Sequence, residues 1–330
     1  MSKQYLLPNV ERHFKASMHT HSTCSDGRGT PEEVKAVYKA QGYQIVAYTD
    51  HEICVAHPEL NDDEFLALTS YEMAVNPSGC RDRDIYDKCY HMNLIARDPE
   101  NTKHVCFDRG YVRDFWPASK LEIETYSTEN RTYSVDSVNH ILEEANKAGF
   151  FVSLNHPNWS LQDYTDYIGL KGIWGVEVFN GECVCIGYPD SHTQVMEDML
   201  RAGIPVYPLA TDDCHHIERA GLGWIQVAAK SLAYGDVIAA LENGDFYAST
   251  GPEIHSLTLE DGKLKITCSP CTKIDINTEC RRTFVKNAAE GELLTEVEFD
   301  LRGWFDTCRE GHEDTAYFRV SLKNAEGKSA

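Results

Sequence analysis

The feature that most limits how this chain folds is an alternation. Over the first ~250 residues, short apolar runs of strand length take turns with segments of helical period. Expected strands cover 15–22, 44–50, 65–75, 91–97, 150–156, 175–180, 205–211 and 223–228. Thr30-Pro31-Glu32-Glu33 opens a helix with an N-cap, a proline at the first helical position and acids in the first turn. Further helices are expected from Ser134 or Asp136 to Lys147, from about Ser191 to Arg201, and from Leu232 to Glu242. Seven or eight such repeats within about 235 residues suit a closed β/α barrel better than an open sheet.

From residue 254 the period changes to two. Leu257, Leu259, Leu264 and Ile266 alternate around Glu260-Asp261-Gly262, a hairpin signal. The expected division is a barrel over 1–253 and a small, sandwich-like β module over 254–330. Segment 98–134 breaks the rhythm. It is long and aromatic, and reads either as an insertion packed outside or as a lid over the barrel mouth.

The formal charge of −21 disfavours a broad surface for nucleic acid. Bound divalent cations could still reverse the sign inside a pocket and admit a small anionic substrate. No apolar run approaches ~20 residues, so no membrane span is expected. The twelve cysteines form no dense framework, which points to reduced thiols and a cytoplasmic location. The first residues do not read as a signal peptide.

The strand ends carry chemistry. His19-Thr20-His21 places two imidazoles on one face of a strand, and Ser25-Asp26-Gly27 follows in a turn. Tyr48-Thr49-Asp50-His51 ends the second expected strand. Glu72 lies in the third, and His91 begins the fourth. Asn155-His156-Pro157 ends the fifth, and Asp212-Asp213-Cys214-His215 ends the seventh. One histidine at a strand tip is commonly structural. Several in succession argue for a metal site.

These motifs, in this order, resemble the PHP (polymerase and histidinol phosphatase) family. The resemblance implies a distorted seven-stranded β/α barrel that binds two or three divalent metals (Zn, Mn or Fe). Carried over position by position, the ligands fall on His19, His21, Asp26, His51, Glu72, His91, His156, Asp213 and His215, with Glu72 as the bridging carboxylate. Gly244-Asp-Phe-Tyr-Ala-Ser-Thr-Gly-Pro252, with the β module after it, resembles the CehA/McbA-type subgroup, although the Trp-Thr-Asn-Pro segment frequent there is missing.

Closely spaced metals would turn a bridging water into hydroxide and polarise an electrophile. The leading expectation is a phosphoesterase acting on a small phosphorylated metabolite or nucleotide. The alternative is hydrolysis of a carbamate, ester or amide, and a third is a metal-holding module without turnover. Arg219 is the best-placed cation for a phosphate, ahead of Arg97 and Arg113. Asp212 reads as orienting a ligand histidine or moving a proton, and His216 as a surface residue or general acid. Asp190-Ser-His192 reads as a helix cap, and His57-Pro58 and Cys268-Ser-Pro-Cys271 as structural.

Overall fold

The computed structural model describes residues 3–10, 12–79, 85–129, 131–307 and 316–330. The chain begins β1 (Gln4–Tyr5), β2 (Phe14–Ser17), α1 (Pro31–Ala40), β3 (Ile45–Tyr48), β4 (Leu66–Val75) and β5 (Tyr90–Ala96). It continues α2 (Val135–Lys147), β6 (Phe150–Leu154), α3 (Tyr164–Tyr167), β7 (Gly175–Asn180), α4 (Gly181–Cys185), α5 (Gln194–Arg201), β8 (Tyr207–Thr211), β9 (Trp224–Val227), α6 (Tyr234–Asn243) and β10 (Phe246–Ser249). The last part holds β11 (Ile254–Glu260), β12 (Lys263–Cys271), β13 (Lys273–Thr278), β14 (Thr283–Asn287), β15 (Leu294–Asp300), α7 (Arg302–Thr307) and β16 (Phe318–Lys323).

The fold is mixed α/β. Nine strands form one sheet in the order β10-β9-β2-β3-β4-β5-β6-β7-β8. Its two ends approach each other at β8 and β10, so the sheet is nearly closed into a barrel. Parallel pairs β2/β3, β3/β4, β6/β7 and β7/β8 give the α/β character. The sheet is two strands larger than the seven expected. β5 runs antiparallel to both β4 and β6, and β9 is antiparallel to β2 and β10. The reversal of β5 matters for the site. The start of this strand, not its end, lies beside the C-terminal ends of its neighbours.

The helices form for the reasons their sequences advertise. Thr30 accepts from the Glu33 amide while Glu33 accepts from the Thr30 amide, a reciprocal cap that leaves two terminal donors satisfied. Ser134 caps α2 through the Ser137 amide, and the helix buries Val138, Ile141, Leu142 and Ala145 against the sheet. Each large aliphatic side chain so buried contributes roughly 1.5–3 kcal/mol.

The C-terminal module packs a four-stranded sheet, β1-β11-β12-β15, with a three-stranded one, β14-β13-β16. Leu264, Ile266, Ile274, Ile276 and Leu322 fill the space between them. Cys268 and Cys271 are buried in that same core, as free thiols. The chain start joins this module, since β1 pairs with β11, crossing the division expected at residue 253.

Candidate metal centre

The nine expected ligands meet at one rim of the sheet, where five of the strands that carry them end and the reversed β5 begins. His19 and His21 leave the tip of β2, His51 that of β3, His156 that of β6, and Asp213 and His215 that of β8. Glu72 projects from β4, and His91 comes from the start of the reversed strand β5. Backbone bonds lock neighbouring tips together. The Asp213 amide donates to His19, the His21 amide to Cys214, and the Glu52 amide to Glu72. His156 and Asp213 have φ of 27° and 52°, and Glu52 beside His51 has 64°. Left-handed backbone is unfavourable for such residues and persists where surrounding bonds enforce it.

Glu72 is the hub. Its Oε1 lies 3.3 Å from His19 Nε2, 3.1 Å from His91 Nδ1 and 3.4 Å from His156 Nε2. Its Oε2 lies 2.8 Å from His51 Nδ1 and 3.7 Å from His21 Nε2. Asp213 Oδ1 approaches His19 Nε2 at 3.2 Å, His21 Nε2 at 3.1 Å and His215 Nδ1 at 3.4 Å. Asp26 lies 3.5 Å from His215 Nε2 and 3.4 Å from His51 Nε2. The donors sort into overlapping sets with metal-binding proximity: His21, Asp26, His51 and His215; His19, His156 and Asp213; His51, Glu72 and His91.

The electrostatics fit a cation. Burial opposes charge on Glu72, yet His91, His19 and His51 hold its carboxyl well below the ordinary range. Burial likewise opposes charge on Asp213, which His19 and His215 keep well below its usual value. For His19, burial is outweighed by Asp213, Glu72 and Glu177, which hold the ring well above the ordinary imidazole value. Protons on imidazoles thus balance buried carboxylates, a task divalent ions perform with shorter, directed bonds. The Nε2 atoms of His19 and His21 face each other at 3.2 Å, and His21 Nδ1 is buried without a hydrogen-bond partner among the described residues. Both observations suit nitrogens aimed at a metal.

Residues given no role of their own by sequence support these donors. Glu177 on β7 sits 2.7 Å from His19 Nδ1 and also accepts from Thr211 Oγ1, the His156 amide and Asn180 Nδ2. A lone acid in the apolar run Val176-Glu177-Val178-Phe179 was the available signal. Glu177→Gln should weaken metal retention by roughly 10–100-fold, measured by chelator competition, because the ring of His19 loses its orienting charge. Asn155 donates to Glu72 Oε1 at 2.9 Å. Asp50 accepts from the amides and hydroxyls of both Ser22 and Ser25, which fixes the loop carrying Asp26. At Gly27, a Cβ would lie 2.5 Å from the backbone carbonyl of His21. Gly27→Ala should therefore displace this loop and destabilise the protein by about 1–3 kcal/mol, read as a lowered melting temperature.

Other expected roles change. Asp212 turns away from the histidines. Its carboxylate accepts from the amides of Gly221, Leu222 and Gly223 and from Tyr38 Oη, so it holds a loop, and Glu177 takes the orienting role. Arg219 is paired with Glu182, and His216 Nδ1 lies 3.7 Å from the same carboxylate. Arg97 bonds Glu242 and the Phe150 carbonyl at the opposite end of the sheet. Arg113 lies in the segment over the rim, near Trp116. Asp190 does not cap α5. It accepts from the Asn158 and Trp159 amides and so supports the turn after His156.

Part of segment 98–134 packs over the rim. Trp116 stacks on His51 with ring centroids 5.9 Å apart, and the Ala118 amide donates to the Cys24 carbonyl. Arg131, buried, bonds Glu52 at 2.7 Å and the Ala74 and Cys106 carbonyls, anchoring the segment beside the donors. Trp159 adds a second aromatic wall, edge-on to His91 and His156.

No protein-family model and no curated protein matches the chain. Among solved structures, a two-domain protein from Bacteroides vulgatus containing a predicted PHP-like metal-dependent phosphoesterase is similar at TM-score 0.43 and 15% identity, over 89% of this chain and 88% of that one. A lesion-specific endonuclease from Pyrococcus furiosus reaches TM-score 0.40 and 16% identity, over 72% of this chain and 57% of that one. An amidohydrolase from Chromobacterium violaceum, with bound sulfate, reaches TM-score 0.35 and 16% identity, over 61% of this chain and 87% of that one. Likeness this distant leaves the chemistry to be argued from the site itself.

Proposed function

We propose that this chain is a metal-dependent hydrolase whose preferred substrate is a small phosphoester. The observation that carries the reading is the convergence on one rim of His19, His21, Asp26, His51, Glu72, His91, His156, Asp213 and His215, with Glu72 facing histidines from four other strand ends. Bound divalent ions (Zn, Mn or Fe, two or three of them) would supply Lewis acidity toward water and toward the oxygen of the substrate. The protein's part is to hold the donors rigidly, with Glu72 spanning neighbouring positions and Glu177 and Asn155 fixing their direction. Trp116 and Trp159 wall the mouth and exclude solvent from part of it. An anionic group entering beside His215 would compete with Glu182 for Arg219.

The second reading is hydrolysis of a carbamate, ester or amide, in the manner of the CehA/McbA-type subgroup. The pairing of Arg219 with Glu182 favours it, because the expected phosphate partner is already neutralised. The aromatic walls would also suit a flat, uncharged substrate. A panel on metal-reconstituted protein decides between them. Turnover of p-nitrophenyl phosphate or bisphosphonucleotides with no turnover of aryl carbamates or esters supports the first reading. The reverse pattern supports the second, and no turnover of either class would leave a metal-holding module.

A further inference from the structure

A second group of donors meets behind loop 22–27, apart from the rim cluster. Cys24 Sγ, a carboxylate oxygen of Asp50 and a ring nitrogen of His57 lie within 4.8 Å of one another. His57 is only 7% exposed. Its Nδ1 faces Glu59 Oε1 at 3.1 Å, while Nε2 is buried without a hydrogen-bond partner among the described residues. A carboxylate at Nδ1 keeps the ring proton there and leaves the Nε2 lone pair available, as outer carboxylates do for metal-binding histidines. Among the described residues, Asp50 uses Oδ1 for the Ser22 and Ser25 amides and the Ser25 hydroxyl, but Oδ2 only for the Ser22 hydroxyl. One lone pair therefore remains on Oδ2.

A purely structural reading fits less well, because it would leave a buried His57 nitrogen unsatisfied. A cation explains the orphan nitrogen, and one thiolate with one carboxylate would cancel its charge in this buried place. Sulfur with imidazole selects a borderline-soft ion over magnesium or calcium.

We propose that Cys24, Asp50 and His57 form a separate site for a single zinc-class divalent cation, which ties the His57-Pro58 turn to loop 22–27. That loop follows His21 and carries Asp26, so the ion would hold two rim donors in place without touching substrate.

Cobalt reports this site selectively, because the rim cluster contains no cysteine. Metal-stripped full-length protein is titrated with Co2+ and followed in the near ultraviolet for thiolate-to-cobalt charge transfer. The expected result is a band in the wild type. Cys24→Ser and His57→Gln should lose it and bind one cobalt fewer per chain. A Cys268→Ser/Cys271→Ser double variant, which changes the two neighbouring thiols of the C-terminal core, should keep it. In the unmutated protein, zinc should shield Cys24 from alkylation, read by peptide mass. Cobalt uptake by the wild type without the band, a band that survives Cys24→Ser, or alkylation of Cys24 unchanged by zinc overturns the proposal.

Discussion

Glu72→Gln is expected to lower hydrolysis by about 10³-fold or more, equivalent to ~4 kcal/mol of barrier, with loss of bound metal in parallel. The substitution preserves size and one acceptor oxygen but removes the charge. That charge is shared among histidines from four other strand ends, two of them within 3.1 Å. An amide also carries two donors. One of them would point at His51 or His91, or at the Asn155 amide that now donates to Glu72. A metal position bridged by Glu72 would thus lose a ligand and gain a repulsive N–H. Elemental analysis beside kcat separates the outcomes. Loss of both supports a bridging role. Full metal content with unchanged turnover would remove Glu72 from the centre, and with it the main support for a shared, multinuclear site.

Much of this site was legible because metal chemistry is written in residue types and strand ends. His19-Thr20-His21, Asp50-His51, Asn155-His156-Pro157 and Asp213-Cys214-His215 all stand at tips on the same rim. The helix caps at Thr30 and Ser134 were readable too, since capping is local. What sequence could not give is long-range pairing. The reversal of β5 depends on its bonds to β4 and β6 and leaves no mark on the period of residues 90–96. It explains why His91 contributes from a strand start when its partners contribute from strand ends. Glu177 takes the orienting role expected of Asp212 for a similar reason. Both Asp212 and Asp213 lie past the end of β8, and Asp213, with a φ of 52°, is the one that faces the histidines. The other meets the amides of residues 221–223, which lie close only after folding.

The chain start shows the same limit at the scale of domains. Residues 4–5 carry too little pattern to be assigned as a strand, yet they extend the C-terminal sheet through β11. The two parts of the protein are therefore stitched at both ends of the barrel sequence. His57 is a smaller case. Beside Pro58 and with no strand before it, it reads as incidental. Its significance depends on Cys24 and Asp50, which the fold brings from either side of α1.

Metal affinity should rise steeply with pH, by as much as roughly 10³-fold per pH unit, because up to three protons must leave for metal to enter. His19, His21 and His156 are all held above the ordinary imidazole value. Burial opposes their charge, but nearby carboxylates, Asp213 and Glu72 foremost, outweigh it. His215 shifts the other way, lowered by burial and by His21. The dependence is therefore steepest below these raised values and flattens as pH rises through them. Metal-free protein should respond in the opposite sense. Groups with raised folded pKa values contribute stability that is complete below the unfolded value and lost as pH rises through the folded one. Glu72 and Asp213, held low, contribute above the ordinary carboxylate range and lose that contribution only as pH falls through their folded values. Between pH 6 and 9, melting temperatures with and without zinc should accordingly diverge, the metal-free protein weakening while the loaded one holds. Parallel melting curves across that range, or an affinity independent of pH, would show that protons and metal do not compete for these imidazoles.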